Sequence, residues 1–215
     1  MNASIAPIVS VVIPMFNVER YIEQAIDSVL AQTYRNFEII CVDDGCFDGT
    51  LERVRAYNDK RIRIVRQENK GLAAARNAGI DAALGMYVAL LDADDFWAPK
   101  KLELHVRHLQ ANPDVGVSYS ASIMVDEQGK PLGVGQHPKL RNIRAQDIFC
   151  RNPVGNGSAA VIRRTALAEV GVLDIDRRRF RVNYFDPEFR QSEDVELWLR
   201  IALKTSWRFE GIKQP

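Results

Sequence analysis

Three carboxylates stand within four positions directly after an apolar run: Asp92, Asp94 and Asp95 follow residues 86–91, MYVALL. A short apolar run of this kind is typical of a buried strand in a mostly parallel sheet. Packing does not require acids at its end, because clustered carboxylates repel one another unless a cation or hydrogen-bond donors offset their charge. The pattern therefore predicts a divalent metal with hard oxygen ligands, Mn²⁺ or Mg²⁺, and these three acids are the candidate ligands.

The spacing of the acids limits which of them can bind the metal together. In an extended chain Asp92 and Asp94 would lie on one face roughly 6.6 Å apart, at ~3.3 Å per residue. That separation is too wide for two short metal–oxygen bonds unless the chain turns or the roles divide. We expect Asp94 to bind the metal while Asp92 holds a sugar hydroxyl or a metal-bound water. The alternative, in which Asp94 or Asp95 only caps a turn, is favoured for a lone acid but not for three.

A second pair of acids, Asp43 and Asp44, follows another apolar segment, residues 37–42, and precedes Gly45. In open α/β sheets, ligands bind outside the carboxyl ends of the strands. We therefore expect this pair to share one edge of the sheet with the Asp92 cluster. Asp44 is short enough to accept hydrogen bonds from a base or a ribose.

Arg76 and Asp194 are further candidates, and each also has an ordinary structural interpretation. Arg76 lies on a helix of small residues, where it could face a phosphate or serve equally well as a surface side chain. Glu193 and Asp194 open the last predicted helix, where acids favour the helix dipole. Because apolar residues 197–199 would anchor them, the same pair could accept a proton from an incoming hydroxyl. The residues alone leave both interpretations open.

Alternating strands and helices must position these residues in the first half of the chain. Apolar or alternating runs predict strands, and amphipathic or alanine-rich runs predict helices. The predicted strands are 8–13, 37–42, 61–66 and 86–91, and the predicted helices are 18–32 (N-cap Asn17), 49–58, 71–84 (C-cap Gly85) and 100–110. Repeated strand–helix–strand units predict an α/β fold with a mostly parallel sheet and right-handed crossovers.

The second half of the chain is less regular. It predicts strands at 115–125, 159–162 and 206–211, helices at 164–170 and 192–203 (capped by Ser192), and loops at 131–142 and 172–190, the last with a basic run at 177–181. His105 and His108 are expected to face solvent. No repeat or linker divides the chain, so we expect a single domain over residues 1–215, with nucleotide chemistry in about 1–112 and the acceptor in about 113–215.

The composition argues against several classes of protein. The chain has 47% hydrophobic and 27% charged residues and a net charge of +1. It therefore lacks the excess of basic residues that is typical of nucleic-acid-binding proteins. No apolar stretch approaches the ~20 residues of a membrane span, and the first eight residues lack a signal-peptide pattern. Three cysteines without a C-x-x-C pair argue against a disulfide scaffold or a cysteine zinc site. We expect a cytoplasmic protein, and attachment to the inner face of a membrane stays open.

Five segments together resemble the family 2 glycosyltransferases, which have the GT-A fold and usually invert the anomeric centre. They occur in family order and cover nearly the whole chain: VSVVIPMFN (9–17), QTYRNFEIICVDDG (32–45), NKGLAAARNAG (69–79), LLDADDFWAPKKLE (90–103) and SEDVELWLR (192–200). Each segment alone is modest support, whereas five in order are strong support.

The resemblance implies a role for each candidate. On the donor side, Pro14 and Phe16 would border the nucleobase pocket, Asp44 would contact the base with Asp43 beside it, and Arg76 would lie near the donor. Asp92, Ala93 and Asp94 would form the D-x-D motif, with Asp94 the principal Mn²⁺ or Mg²⁺ ligand and Asp95 adjacent. Asp194 would be the general base.

The chain departs from the family pattern at two places. Cys46 and Phe47 replace the Ser-Thr that usually follows D-D-G, which puts contacts from these positions in doubt. The chain also ends at Pro215, where relatives commonly continue, so a C-terminal truncation is one expectation.

The expected reaction is transfer of a sugar from a nucleotide diphosphate sugar, most plausibly a UDP-hexose. The acceptor would be a hydroxyl of a glycan or lipid-linked saccharide, as in polysaccharide biosynthesis. Two alternatives remain: a sugar nucleotidyltransferase, against which the missing N-terminal Gly-rich loop argues, and a non-catalytic carbohydrate-binding relative, which would need neither a metal nor a base.

Overall fold

The computed structural model describes residues 6–176 and 179–214, without the side chains of residues 175, 176, 179 and 180. Part of the segment considered for a signal peptide, residues 1–5, and residues 177 and 178 of the basic run lie outside the described residues. Among the described helices, none combines the length and the apolar character that crossing a membrane requires.

The described residues form eleven strands and seven α-helices. The strands are β1 (Val9–Met15), β2 (Phe37–Asp43), β3 (Ile62–Arg66), β4 (Tyr87–Leu90), β5 (Val115–Ser120), β6 (Ser122–Val125), β7 (Pro131–Gln136), β8 (Ala160–Arg163), β9 (Val172–Asp176), β10 (Arg179–Asn183) and β11 (Arg208–Ile212). The helices are α1 (Ile22–Leu30), α2 (Thr50–Arg55), α3 (Leu72–Ala82), α4 (Lys101–Ala111), α5 (Ala145–Arg151), α6 (Arg164–Val170) and α7 (Glu193–Lys204).

Seven strands form one sheet, in the order β11-β5-β8-β4-β1-β2-β3. Parallel pairing joins β1 to β2 and β4, β2 to β3, and β11 to β5, whereas β8 runs antiparallel to both β4 and β5. The predicted α/β class with a mostly parallel sheet is confirmed. Crossover helices place the carboxyl ends of the parallel strands on one edge.

Two apolar clusters cover the two faces of this sheet. Helices α1 and α4 pack on one face, and α3, α6 and α7 pack on the other. Strands β1, β2 and β4 are buried along their whole length, which explains their continuous apolar runs. Strand β3 lies at the edge of the sheet and alternates between half-buried and exposed residues. The sequence signal of each strand thus follows from its position in the sheet.

Helix α3 lies unusually close to the sheet because its contact residues are small. A Cβ atom at Gly79 would collide with Cγ1 of Val12 and approach Cγ2 of Val42 to 3.1 Å. The small residues of this alanine- and glycine-rich segment therefore allow α3 to pack directly on the sheet. Two polar residues of α3, Arg76 and Asn77, are buried.

The two predicted loops of the second half were wrong in part, since of their described residues only 137–142 and 184–190 lack a helix or strand. Residues 131–142 contain β7, which pairs antiparallel with β6, and residues 172–190 contain the β9–β10 hairpin. The predicted strand at 115–125 divides into β5 and β6, and α5 was missed. The β6–β7 hairpin pairs only within itself and is largely exposed, so its sequence carries no long apolar run.

Two predicted caps and one predicted surface were also wrong. Asn17 has a φ of 54° and lies five residues before α1, so it does not cap that helix. Ser192 occupies the N-cap position of α7 as predicted, although its side chain makes no capping hydrogen bond. Helix α3 ends at Ala82, before Gly85. His105 is fully buried, and both His105 and His108 bond the Ser118 hydroxyl, at 2.7 and 2.8 Å, instead of facing solvent.

Candidate active site

Three strands deliver polar residues to one edge of the sheet. The register pairs Met15 of β1 with Asp43 of β2, and Val12 of β1 with Leu90 of β4. The segments that follow these strands therefore emerge side by side. As the sequence indicated, this brings the Asp43–Asp44 pair and the Asp92 cluster to the same edge.

Asp44 organises the loop that leads into α3. Its carboxylate accepts hydrogen bonds from Nε2 of Gln67 at 2.7 Å, the backbone N–H of Lys70 at 2.8 Å and the backbone N–H of Gly71 at 2.9 Å. The side chain is buried, and three of about four acceptor positions are used. In this structure Asp44 thus has one remaining acceptor position for a base or ribose.

Asp43 is held in the turn after β2. It accepts from the backbone N–H of Cys46 at 2.8 Å and from Nε of Arg66 at 2.9 Å. Burial opposes ionisation, but these two donors outweigh it and hold the pKa of Asp43 below its ordinary value. Asp43 is therefore an ionised, buried residue that shapes the turn.

Pro14 lies within β1, which extends past its predicted end at residue 13, and Phe16 directly follows the strand. Pro14 is buried and pairs with Val42 of β2, at a position beyond the last residue of β4 that pairs with β1. Its missing N–H therefore costs no hydrogen bond in the sheet. The Phe16 ring meets the Phe47 ring edge to face, with centroids 5.9 Å apart. Phe47 thus adds a second exposed aromatic ring to this edge, at a position where the sequence departs from the family pattern.

The acid cluster sits in a turn, not in an extended chain. The Asp95 N–H donates to the Asp92 carbonyl at 3.0 Å, so the 6.6 Å extended spacing, at ~3.3 Å per residue, does not apply. The Asp92 N–H donates to Oγ of Ser158 at 2.9 Å. Asp94 is exposed, whereas Asp92 and Asp95 are half-buried. Burial, with the charges of Asp92 and Asp94, raises the pKa of Asp95.

Arg76 joins the acid cluster to the last helix. Its Nη2 donates to Oδ1 of Asp92 at 2.7 Å, and its Nη1 donates to Oε1 of Glu193 at 2.6 Å. The residue is only 2% exposed, and its guanidinium carbon lies 5.3 Å from the centroid of the Phe185 ring. Burial opposes ionisation, but the two carboxylates outweigh it and raise the pKa of Arg76. The structure thus places Arg76 behind the acids and not on an open phosphate-facing surface.

Glu193 and Asp194 take different positions at the start of α7. Glu193 is buried against Arg76, whereas Asp194 is half-buried and lies 3.4 Å from Nδ2 of Asn152. Burial raises the pKa of Asp194, and the charge of Glu193 adds to this, although the N–H of Val195 opposes it. A carboxylate with a raised pKa is a stronger base.

The described residues supply oxygen ligands but no complete metal site. No three His, Cys, Asp or Glu side chains among them are grouped to hold an ion by themselves. Asp94 is exposed, and Asp92 uses only Oδ1 for Arg76 among its described contacts. Since Mg²⁺ is usually held by one or two carboxylates plus substrate phosphates, these acids fit an ion completed by a diphosphate.

Sequence reasoning missed the segment that supports Asp92. A Cβ atom at Gly157 would lie 2.7 Å from Nη2 of Arg76, so the glycine leaves room for the ion pair. Ser158 accepts from the Asp92 N–H, and its carbonyl accepts from Nε1 of Trp97 at 3.0 Å. The polar, glycine-containing run at 155–158 just before a short strand was the available signal.

Comparison with known proteins points to one family. The sequence model of the family described as Glycosyl transferase family 2 matches residues 10–171 of this chain. A relative from Rickettsia felis described as an uncharacterized glycosyltransferase is 34% identical over 202 residues, which cover 92% of this chain and 31% of the relative. The putative teichuronic acid biosynthesis glycosyltransferase TuaG of Bacillus subtilis is 32% identical over 201 residues, covering 92% of this chain and 73% of TuaG.

Solved structures share the fold at lower identity. TarS of S. aureus in complex with UDP superposes with a TM-score of 0.74 at 20% identity, covering 96% of this chain and 58% of that one. The mannosyltransferase PcManGT of Pyrobaculum calidifontis, in complex with GDP-Man and Mn²⁺, superposes with a TM-score of 0.68 at 24% identity. The match covers 99% of this chain and 56% of PcManGT. The chain spans about a third of the length of the first curated relatives, 31% of one and 30% of another.

Proposed function

The chain belongs to glycosyl transferase family 2, and on this basis we propose that it transfers a sugar from a nucleotide diphosphate sugar to an acceptor hydroxyl. The donor is a UDP-hexose, and the acceptor is a glycan or lipid-linked saccharide in polysaccharide assembly. The similarity to TuaG, a putative teichuronic acid biosynthesis glycosyltransferase, and to TarS, which has been crystallised with UDP-GlcNAc, supports this choice. About residues 1–112 bind the donor, and about 113–215 receive the acceptor.

The observation that carries the proposal is the bridge through Arg76. It joins Asp92, from the acid cluster after β4, to Glu193, which precedes the candidate base Asp194. A binding module has no need for a buried cation that draws these two acidic segments together. The bridge draws the segment of the proposed metal ligands towards the start of α7, which carries the proposed base, and this supports the assignment.

The donor lies at the ends of β1 and β2 in this proposal. Phe16 and Phe47 offer ring surfaces to a nucleobase, and Pro14 shapes the end of β1 beneath them. Asp44 contacts the base or ribose through its remaining acceptor position, while Asp43 keeps the turn in place. Arg76 acts behind the donor by holding Asp92.

Asp94 and Asp92 hold Mn²⁺ or Mg²⁺ in this proposal, with Asp95 adjacent. The bound ion supplies charge stabilisation for the nucleoside diphosphate as it leaves. The exposure of Asp94 supports an ion whose coordination the donor diphosphate completes. The Mn²⁺ in the PcManGT complex supports the same assignment.

Asp194 acts as the general base. It accepts the proton of the acceptor hydroxyl while that oxygen forms a bond to C1 of the sugar. The bond from C1 to the diphosphate oxygen breaks on the opposite face, and the electron pair leaves with the diphosphate. A single displacement of this kind inverts the configuration at C1. The raised pKa of Asp194 supports this role.

A thermal-shift panel tests the donor assignment. UDP, GDP, dTDP and CMP sugars are each added with and without Mn²⁺, because a ligand that binds the native state raises its apparent stability by mass action. We expect a UDP-hexose with Mn²⁺ to give the largest shift. If no nucleotide sugar shifts the transition with Mn²⁺, the transferase proposal fails.

Product analysis tests the reaction itself. Proton NMR of the product should show a C1 configuration opposite to that of the donor. A product with the donor's configuration would exclude the single displacement. Release of pyrophosphate from a nucleoside triphosphate and a sugar phosphate would support a nucleotidyltransferase instead.

A further inference from the structure

The 3₁₀ turn at Gly157–Ala159, here named the support turn, anchors the acid cluster. The Ser158 hydroxyl accepts from the Asp92 N–H at 2.9 Å, and the Asp92 carbonyl accepts from the Asp95 N–H at 3.0 Å. Asp94 lies inside the loop that this second hydrogen bond closes. The position of Ser158 therefore sets where that loop begins and where Asp94 is presented.

Two side chains that follow the acid cluster along the chain hold the support turn. Nε1 of Trp97 donates to the Ser158 carbonyl at 3.0 Å, and Nζ of Lys101 donates to the Ala159 carbonyl at 2.9 Å. Nζ of Lys101 also lies 5.4 Å from the centroid of the Trp97 ring, which is a cation–π contact. Two adjoining side chains thus bind two consecutive carbonyls, one of them on the residue that accepts from Asp92.

A lysine at this position carries a cost. Lys101 is only 4% exposed, and among the residues that the structure describes no carboxylate forms an ion pair with it. Besides the Ala159 carbonyl, its polar contacts are the Ser120 hydroxyl and Nε2 of His105, each at 3.4 Å. A buried ammonium without a carboxylate is unfavourable, and burial lowers the pKa of Lys101 to about 7. Because an apolar side chain would fill the space without this cost, the benefit of Lys101 lies in its contacts.

A chain of hydrogen bonds holds Lys101 on the side of α4 and β5. Nδ1 of His105 and Nδ1 of His108 both bond the Ser118 hydroxyl, at 2.7 and 2.8 Å, and that hydroxyl has one hydrogen to donate. The ammonium of Lys101 can only donate, so Nε2 of His105 accepts and its Nδ1 donates to Ser118. Ser118 then donates to His108, whose Nε2 lies 3.9 Å from Glu210 on β11. The chain joins Lys101 to two strands of the main sheet and fixes the direction of its ammonium.

We propose that Lys101 is a positioning residue for the metal ligands. It holds the support turn in place, and the support turn in turn sets the positions of Asp92 and Asp94. Trp97 acts with Lys101 through the neighbouring carbonyl. Lys101 itself contacts neither the ion nor the donor. The inference rests on the proposed function, because the ion that Lys101 serves is the ion of that reaction.

Substitution of the two donors tests the inference. Lys101→Met removes the donor to Ala159 and keeps an unbranched side chain, and Trp97→Phe removes the donor to Ser158 and keeps an aromatic ring. Calorimetry gives the Kd of each protein for UDP with and without Mn²⁺, and the ratio of the two values is the Mn²⁺ gain. We expect the Mn²⁺ gain to fall roughly tenfold in each variant, since groups that orient metal ligands contribute at least this much to affinity. The Kd for UDP without Mn²⁺ should not change.

Two matched variants serve as controls. Lys100→Met changes the exposed neighbour of Lys101, and Trp207→Phe removes an indole donor that bonds Glu169 at 2.9 Å. Both should keep the Mn²⁺ gain of the wild type. NMR of the protein without ligands gives a second measurement, because the amide resonance of Asp92 reports its bond to Ser158. This resonance should move in Lys101→Met and Trp97→Phe and stay in place in both controls.

A purely structural role of Lys101 would lower the unfolding temperature and leave both the Mn²⁺ gain and the Asp92 amide unchanged. That result would overturn the inference, and so would a shifted Asp92 amide with an unchanged Mn²⁺ gain. If Lys101→Met does not fold, the same two measurements on Trp97→Phe decide the matter. Failure of the wild type to bind UDP with Mn²⁺ would instead contradict the proposed function, while the Asp92 amide would still show whether Lys101 and Trp97 hold the support turn.

Discussion

Asn77 holds Phe185 through both atoms of its side-chain amide. Nδ2 donates to the Phe185 carbonyl at 2.7 Å, and Oδ1 accepts from the Phe185 N–H at 2.8 Å. The neighbouring residue Arg76 lies over the Phe185 ring. Two consecutive residues of α3 therefore fix the segment that leads to α7 and to Asp194. The function of this part of α3 is to dock the second half of the chain on the first.

Replacing Asn77 should destabilise the fold. Asn77→Ala leaves the buried N–H and carbonyl of Phe185 without partners, which we expect to lower the free energy of unfolding by about 1–3 kcal/mol. Urea denaturation measures the change. The matched control is Asn58→Ala, since Asn58 is exposed, and it should stay within about 0.5 kcal/mol of the wild type. Equal stability of the two variants would contradict the docking role.

Replacing Arg76 should leave the buried Glu193 and the half-buried Asp92 without their shared cation. Arg76→Met should lower the free energy of unfolding by about 3–5 kcal/mol, because Asp92 and Glu193 lose their shared cation. Adding Glu193→Met to that variant should recover part of the loss, since one buried charge is removed. The surface variant Arg107→Met is the control. A double variant less stable than Arg76→Met would argue against this charge balance.

Asp194→Asn should separate transfer from donor binding. The amide cannot accept the acceptor proton, so we expect the transfer rate to fall by about 10²–10⁴-fold while the Kd for UDP stays the same. Glu127→Gln, on an exposed turn, should leave both quantities unchanged. Steady-state transfer and calorimetric UDP titration measure them. Full transfer activity in Asp194→Asn would exclude its role as the base.

The dependence of the transfer rate on pH should follow the ionisation of Asp194. Only its ionised form accepts a proton, and burial raises its pKa, so kcat/KM should fall on acidification with a midpoint above the ordinary value of ~3.9. Asn152 helps to hold the ionised form, so Asn152→Ala should move this midpoint to higher pH. A midpoint that moves to lower pH in that variant would contradict the contact.

The buried Lys101 should make stability rise with pH. Burial lowers its pKa to about 7, whereas in the unfolded chain it keeps its proton up to ~10.4. Between these values the unfolded state binds more protons, so the free energy of unfolding should increase by up to ~1.4 kcal/mol per pH unit from this group. Lys101→Met should remove that slope, and the exposed neighbour Lys100→Met should keep it.

The test of Lys101 compares the free energy of unfolding as a function of pH in the wild type and in Lys101→Met. Burial raises the pKa of Cys41 to about 12, so above ~8.5 the unfolded state loses that proton first and stability declines with pH. Subtracting the curve of Lys101→Met from that of the wild type cancels this contribution. Parallel curves between pH 7 and 8.5 would show that Lys101 does not titrate in this range.

The sequence alone predicted most of the first half of the fold. Strands β2 and β3 differ from their predicted ranges by one residue at one end, and β4 differs by one residue at each end, because each is an apolar or alternating run with a strong local signal. Strand β7 and the β9–β10 hairpin escaped prediction because the β6–β7 and β9–β10 pairs lie outside the main sheet. The β-propensity of a sequence predicts a strand poorly where side-chain packing contributes little to its stability.

The candidate site divides in the same way. The acids at 43–44, at 92–95 and at 193–194 could be selected from sequence, because carboxylates after apolar strands or before an apolar helix are visible as local pattern. Only the tertiary structure shows that Glu193 is buried in an ion pair and that Asp94 is exposed to solvent. Arg76 and Glu193 lie 117 positions apart, and their contact depends on α3 packing close against the sheet and beneath α7. Local sequence determines which groups exist, whereas long-range packing determines which charges meet and which remain for chemistry.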